Sequence, residues 1–363
     1  MQGMIHVRRW HRAACALMVL AVSPVVSFAA GETANDCVGI ANDLERLTCY
    51  DRAMHRESVA PTAPIAAREA DAARREVFAR DPAVRTREGE EHPLVASLLD
   101  SRWELDESSK QGAFHLRAYK PLYLLPVFYT NDTNQRPTSP AADRTATTSR
   151  ELQNIEAVYQ LSLKTKLWEN IFGNNGDLWT GYTQTSHWQI YNGNESRPFS
   201  ETNYEPELTL AFRTDYNLLG WDGRLLGITV NHQSNGQSKP LSRSWNRTML
   251  NLGFERDGWA LILRPWWRIH DSSDDNPDIS DYMGRGDLTL VHVWNGQEIS
   301  LMARHSLRSG DRSHGALQFD WAVPISGDLR AHLQLFDGYG QSLIDYNHKA
   351  WYVGVGLSLL EWY

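Results

Sequence analysis

From Trp103 onward the chain alternates. Segments of about 10 to 16 residues switch between apolar and polar side chains, with clusters of Gly, Asn, Asp, Ser and Pro between them. A residue period of two is the pattern of a strand with two unlike faces, so this region reads as all-β. Twelve such segments can be marked, at 114–130, 154–172, 176–192, 203–220, 223–237, 242–258, 259–270, 279–296, 297–310, 314–326, 328–343 and 349–363. Strands of soluble sandwiches are usually near 5 or 6 residues, whereas a strand tilted across a bilayer needs about 9 to 11. Length and an even count predict a twelve-stranded antiparallel transmembrane β-barrel. The last segment shows the two faces most plainly. Trp351, Val353, Val355, Leu357 and Leu359 lie on one side, with Tyr352, Gly354, Gly356 and Ser358 on the other, before an aromatic Trp362-Tyr363 end.

The first thirty residues carry Arg8, Arg9 and Arg12, an apolar run from Ala13 to Val26, and small residues around Ala29. These are the parts of a secretory signal peptide, expected over 1–29. Residues 30–95 form an expected periplasmic extension. Cys37 and Cys49 are predicted to pair there in an oxidising compartment, clipping an amphipathic helix on which Ile40, Leu44 and Leu47 recur, and an Ala-, Arg-, Glu- and Pro-rich linker follows. The barrel is expected over 96–363. A net charge of -8 argues against nucleic acid as a partner, since no cluster of Lys and Arg is available to neutralise a phosphate backbone.

Chemistry concentrates between Asn231 and Arg247. His232 and Ser234 are two apart and so emerge on one face of a strand, a spacing that by itself arises often by chance. Parity is more telling. Leu226, Ile228, Val230, His232 and Ser234 share a face, so the polar pair continues an apolar, lipid-facing row, where polar residues are costly and are usually explained by an interfacial girdle at the strand end or by function. On the following segment Asn246 shares its face with Leu250, Leu252 and Phe254, and a hairpin with its loop at 235–241 would bring Asn246 beside His232. Nucleophile, base and orienting amide are the parts acyl transfer requires. A neutral amide supports an imidazolium less than a carboxylate does, so further charge stabilisation is expected. Backbone N–H groups around Gly236 and a metal ion would provide it, with Ser242 and the carbonyls of this turn as hard oxygen ligands suited to calcium.

The run from Asn231 to Arg247 resembles the active-site motif of the outer-membrane phospholipase A family. The resemblance extends over about residues 96–363, through Lys120-Pro121 with Tyr123-Leu124-Leu125-Pro126, Tyr182-Thr183-Gln184, Glu201-Thr202-Asn203-Tyr204-Glu205-Pro206, and Asp274-Asp275-Asn276-Pro277-Asp278 followed by Tyr282-Met283-Gly284. It implies a hydrolase of the outer membrane that cleaves the sn-1 and sn-2 acyl esters of phospholipids and lysophospholipids, depends on Ca2+ and acts as a homodimer. It also implies Ser234 as nucleophile, His232 as base and Asn246 as orienting amide, and the Gly236 N–H is expected at the oxyanion. The implied calcium ligands are the Ser242 hydroxyl, the Gln237 carbonyl and the carbonyl matching Ser196 on the partner copy. A second calcium site of the family uses two acids, and here Lys239 stands at one position with Asp274 at the other. Gln184 matches a residue of the dimer contact. Without the ordered motifs, a porin or a structural barrel would answer to the same twelve strands. The acidic stretch Asp271 to Asp281 departs from an EF-hand loop at Asn276 and Tyr282 and is expected to be a solvated extracellular loop.

Overall fold

The computed structural model describes residues 34–54 and 97–363. The expected signal peptide and most of the linker lie outside the described residues. The chain divides at residue 67 into two units.

In the first unit a short 3-10 turn, Ala34–Cys37, precedes helix α1, Asp43–Ala53. The Asn42 side chain accepts the Glu45 N–H at 3.3 Å, closing the N-terminal turn, and Asp43 and Glu45 suit its positive end. Cys37 and Cys49 are bonded, with their Cα atoms 5.6 Å apart. Both cysteines are buried. Leu47 is exposed, and Ile40 precedes the helix, where its carbonyl accepts from Arg46 at 3.0 Å.

The second unit is a closed antiparallel barrel. Its strands are β1 (Leu116–Ala118), β2 (Leu122–Thr130), β3 (Ile155–Trp168), β4 (Asp177–Trp188), β5 (Phe199–Leu218), β6 (Trp221–Ser234) and β7 (Ser244–Arg256). They continue as β8 (Trp259–Ile269), β9 (Gly286–Trp294), β10 (Gln297–His305), β11 (Gly315–Ser326), β12 (Leu329–Tyr339) and β13 (Lys349–Leu360). Each pairs with its sequence neighbour from β2 onward, and β13 returns to β2 to close the wall. β1 and β2 lie along the same edge of β3, pairing with Leu163–Thr165 and Ile155–Gln160, so they are one wall position broken at residues 119–121. Pro121, which has no N–H to give the ladder, sits at the break. The twelve expected strands are therefore present, the first of them interrupted.

Boundaries differ where a loop end dips into the core. The expected strand 279–296 begins as helix α3, Ile279–Tyr282, preceded by a second helix, α2, at Leu98–Trp103. Ile279 and Met283, four apart, both enter a cluster with Trp245, Met249, Trp266, Leu343 and Tyr346, which is helical spacing, not strand spacing. β10 stops at His305 and β12 at Tyr339, short of the expected ends.

Wall parity follows the sequence. Trp351, Val355, Leu357 and Leu359 are exposed, whereas Tyr352, Gly354 and Ser358 are buried. The inner face is polar and cross-linked. Lys120 pairs with Glu205 at 2.8 Å and Glu207 at 3.0 Å, Arg247 with Glu205 at 2.9 Å, and Arg264 with Asp287 at 2.7 Å. A cavity of about 200 Å³ remains between such groups. At one end the strands join through tight two-residue turns, Leu219-Gly220, Asp257-Gly258 and Asn295-Gly296, with positive φ at both positions. That is the primed hairpin geometry that matches strand twist, and glycine carries its second position without strain. Helix α2 plugs the same end, where Leu99 and Trp103 pack with Trp179, Leu225 and Ile262 and Arg102 donates to the carbonyls of Glu361 and Trp362. Trp362 and Tyr363 turn inward here instead of extending β13: Trp362 lines the cavity and Tyr363 packs on the α2 cluster. The long connections, including 235–243 and 270–285, gather at the opposite end.

Candidate active site

β6 and β7 pair in strict antiparallel register, with His232 opposite Asn246, Gln233 opposite Trp245, and Ser234 opposite Ser244. The register is held from behind. On the lumen side Trp245 donates its indole N–H to Gln233 at 2.8 Å, meets Trp266 edge-on and lies under the Arg247 guanidinium. With the odd-numbered residues fixed inward, His232, Ser234 and Asn246 must face outward, in line with the exposed Ile228 and Val230. On that outer face His232 Nδ1 and Asn246 Oδ1 are 2.7 Å apart. An amide oxygen can only accept, so Nδ1 carries the hydrogen and Nε2 is left with its lone pair. Ser234 lies two residues along the same face. Among the described residues no hydrogen bond joins it to His232, a looseness common in catalytic pairs without substrate.

The loop leaving Ser234 is built around a side chain that sequence reasoning gave no role. Asn235 is buried, and its Oδ1 accepts the N–H groups of Arg243 at 2.9 Å and Gln237 at 3.3 Å. Its amide donates to the Leu241 carbonyl at 2.8 Å and to Glu201 at 3.3 Å. Gly236 is thereby held at φ +63°, and a Cβ there would come 3.0 Å from the ring of Tyr204, whose own partner in the sheet is Ser234. Glycine is required on both counts. Among the described residues the Gly236 N–H has no acceptor, which leaves a backbone donor beside the hydroxyl of Ser234.

The remaining expected ligands present oxygen. Ser242 Oγ donates to Asp275 at 2.6 Å, keeping its lone pairs, and among the described residues neither the Gln237 nor the Ser196 carbonyl accepts a hydrogen bond. Ser196, at φ +58°, belongs to the loop 189–198, away from the β6–β7 loop in the chain. These hard, uncommitted oxygens fit a calcium ion better than a soft metal. The paired-acid arrangement does not form. Lys239 contacts Asp143 at 3.5 Å, and Asp274 is bound to Arg268 at 2.5 Å. The stretch 271–281 differs from the solvated loop expected: Asp275 and Asn276 are buried, and Asn276 accepts the Ser244 N–H at 3.0 Å. Their signal was in the sequence, as an acid and an amide next to a proline, but nothing in spacing says which strand end such a loop will grip. Gln184 lies on the outer wall in a polar chain from Tyr182 through Gln184 to Ser186, with links of 3.1 Å each.

A closed antiparallel barrel crossed inside by ion pairs, with a Ser, His and Asn set on its outward face, has the architecture of an outer-membrane β-barrel enzyme. A family model described as Phospholipase A1 matches residues 99–359, and the chain belongs to that family. A relative named putative phospholipase A1, from Neisseria meningitidis serogroup B, is 36% identical, with 94% of each chain covered. Among solved structures, the Salmonella typhi outer membrane phospholipase dimer with bound calcium is 38% identical. It superposes with a TM-score of 0.63, covering 70% of this chain and 95% of that one. An active-site mutant of outer membrane phospholipase A from Escherichia coli, an asparagine replaced by alanine, is 36% identical over the same shares, also with a TM-score of 0.63.

Proposed function

We propose that this phospholipase hydrolyses the sn-1 and sn-2 acyl esters of phospholipids and lysophospholipids through a triad of Ser234, His232 and Asn246, in a calcium-dependent homodimer. The observation that carries the reading is the 2.7 Å contact between His232 Nδ1 and Asn246 Oδ1 on the outward face. It fixes the tautomer in which Nε2 is the base, an arrangement that a polar girdle at the end of a strand does not call for. The Escherichia coli mutant, an active-site change at an asparagine, points the same way.

As the Ser234 hydroxyl attacks the ester carbonyl, its proton passes to His232 Nε2. The carbonyl becomes a tetrahedral oxyanion facing the Gly236 N–H. Collapse breaks the ester C–O bond, and the imidazolium returns the proton to the leaving lysolipid alcohol. Water, deprotonated by His232, then opens the acyl-serine, releasing a fatty acid and restoring the hydroxyl. Asn246 holds the imidazole through both halves. The Ser242 hydroxyl and Gln237 carbonyl would hold calcium together with the carbonyl of Ser196 of the partner subunit. When bound there, calcium supplies the positive charge that a neutral Asn cannot. The calcium-bound dimer from Salmonella typhi supports this reading. The bound of 1–29 for a signal peptide, 30–95 for a periplasmic extension and 96–363 for the barrel is part of the proposal, since the chain enters the barrel at its tight-turn end.

The test is hydrolysis by Ser234→Ala beside the native protein, with calcium and with chelator. A fall of about a thousandfold or more is expected, from the loss of a nucleophile whose triad acts as a unit. Undiminished activity would refute the triad. Loss of activity without chelator sensitivity in the native protein would refute the calcium assignment alone.

A further inference from the structure

We infer that Asp275 is a positioning residue for the cation site, acting through the Ser242 hydroxyl. The inference rests on the calcium reading above. Ser242 is a ligand only if its oxygen offers a lone pair outward, and an unrestrained hydroxyl turns freely about its C–O bond. Asp275 removes that freedom. Its Oδ2 takes the Ser242 hydrogen at 2.6 Å, so both lone pairs of Oγ are left unshared.

The carboxylate is itself fixed. Its Oδ1 accepts Arg144 Nε at 2.8 Å, and the Asp275 carbonyl accepts Ser139 Oγ at 2.7 Å. Asp275 is 7% exposed and Arg144 8%, so the pair is shielded from competing water. The next residue, Asn276, grips the Ser244 N–H, and Arg144 in turn offers its carbonyl to Arg243 at 2.9 Å. Loops 131–154 and 270–285 thus converge on Ser242 through buried contacts.

An amide at 275 would break the arrangement in a specific way. Its NH2 cannot face the Arg144 guanidinium, so it must turn toward Ser242 and donate. Oγ then becomes an acceptor, and a lone pair meant for the cation is consumed. Outer-shell partners of metal ligands are typically worth 10- to 100-fold in affinity.

The experiment is calorimetric titration of calcium into the native protein and Asp275→Asn in the same detergent, with hydrolysis measured against calcium concentration. Calcium binding at least about tenfold weaker is expected, with a rate that recovers to within about twofold at saturating calcium. A role limited to folding would lower the amount of active barrel and leave the affinity alone. Native calcium affinity in a folded Asp275→Asn barrel overturns the inference. Should that variant not fold, Arg144→Lys carries the test, since it keeps a cation but frees the carboxylate to turn; a smaller weakening is expected, and unchanged affinity overturns the inference there. Native protein that neither binds calcium nor needs it would instead overturn the calcium reading, and the inference with it.

Discussion

Asn246 is the residue whose chemistry the structure makes most specific. It lies on the outward face, accepts one hydrogen bond from His232 and carries no charge, so the role proposed for it is to hold one tautomer in place. A hydrogen bond to a charged group, here the imidazolium that forms during the reaction, is worth about 1.5–3 kcal/mol, and about 1.36 kcal/mol is tenfold in rate. Asn246→Ala should therefore lower kcat by about 10- to 100-fold, far less than loss of the nucleophile, with KM changed little. Steady-state kinetics on a short-chain phospholipid in micelles separates the two, and a loss as deep as that of Ser234→Ala would mean that Asn246 does more than orient. At this scale the sequence was readable where parity governs: His232, Ser234 and Asn246 each occupy the face that alternation gave them. Asn235 and Asp275 were not, because their partners lie on a loop turn and on a chain segment some 30 residues away, and side chains buried behind a site leave no periodic trace.

At the scale of the element, the β6–β7 hairpin carries the site, and its loop is as specified as its strands. Asn235 ties both ends of the turn, and Gly236 occupies the left-handed region against the Tyr204 ring. An alanine there costs roughly 1 kcal/mol in backbone strain and needs a ring to move by tenths of an ångström. The barrel, closed by twelve strand pairings, should tolerate that. The N–H beside Ser234 should not keep its aim, and removing one such donor typically costs about 10²- to 10³-fold in kcat. Gly236→Ala is expected to unfold at close to the native temperature, followed by circular dichroism, while kcat falls by about a hundredfold. Native kcat in this variant would show that the donor lies elsewhere. Strand existence was legible throughout this element and its neighbours. Ends were not, since the inward turns at Ile279, Leu343 and Trp362 depend on which apolar residue finds space in the cluster at each mouth of the barrel.

For the whole molecule, a site proposed on the outside of the wall raises the question of what confines the activity, because substrate-like lipid is in reach wherever it enters the leaflet. The geometry supplies a candidate answer. Two proposed cation ligands, Ser242 and Gln237, sit on one hairpin, whereas Ser196 lies on the loop 189–198 of what is proposed to be the partner copy. On the outer wall the exposed Tyr182 hydroxyl donates to the half-buried Gln184, which donates in turn to the buried Ser186, so Tyr182 and Gln184 present polar groups to lipid. Polar groups there are favoured when another protein surface covers them, so the same stripe that costs stability in a lone barrel favours pairing. If a site is complete only in the pair, activity per molecule must follow the fraction paired, and association in a bilayer depends on the protein-to-lipid ratio. At saturating calcium, diluting the protein with inert lipid should lower specific activity, in step with the loss of dimer seen by crosslinking. Raising calcium at fixed dilution should restore both together, because a ligand shared between two copies drives their association by the same free energy that they lend to its binding. Specific activity that stays constant while crosslinked dimer disappears would place the complete site within one barrel.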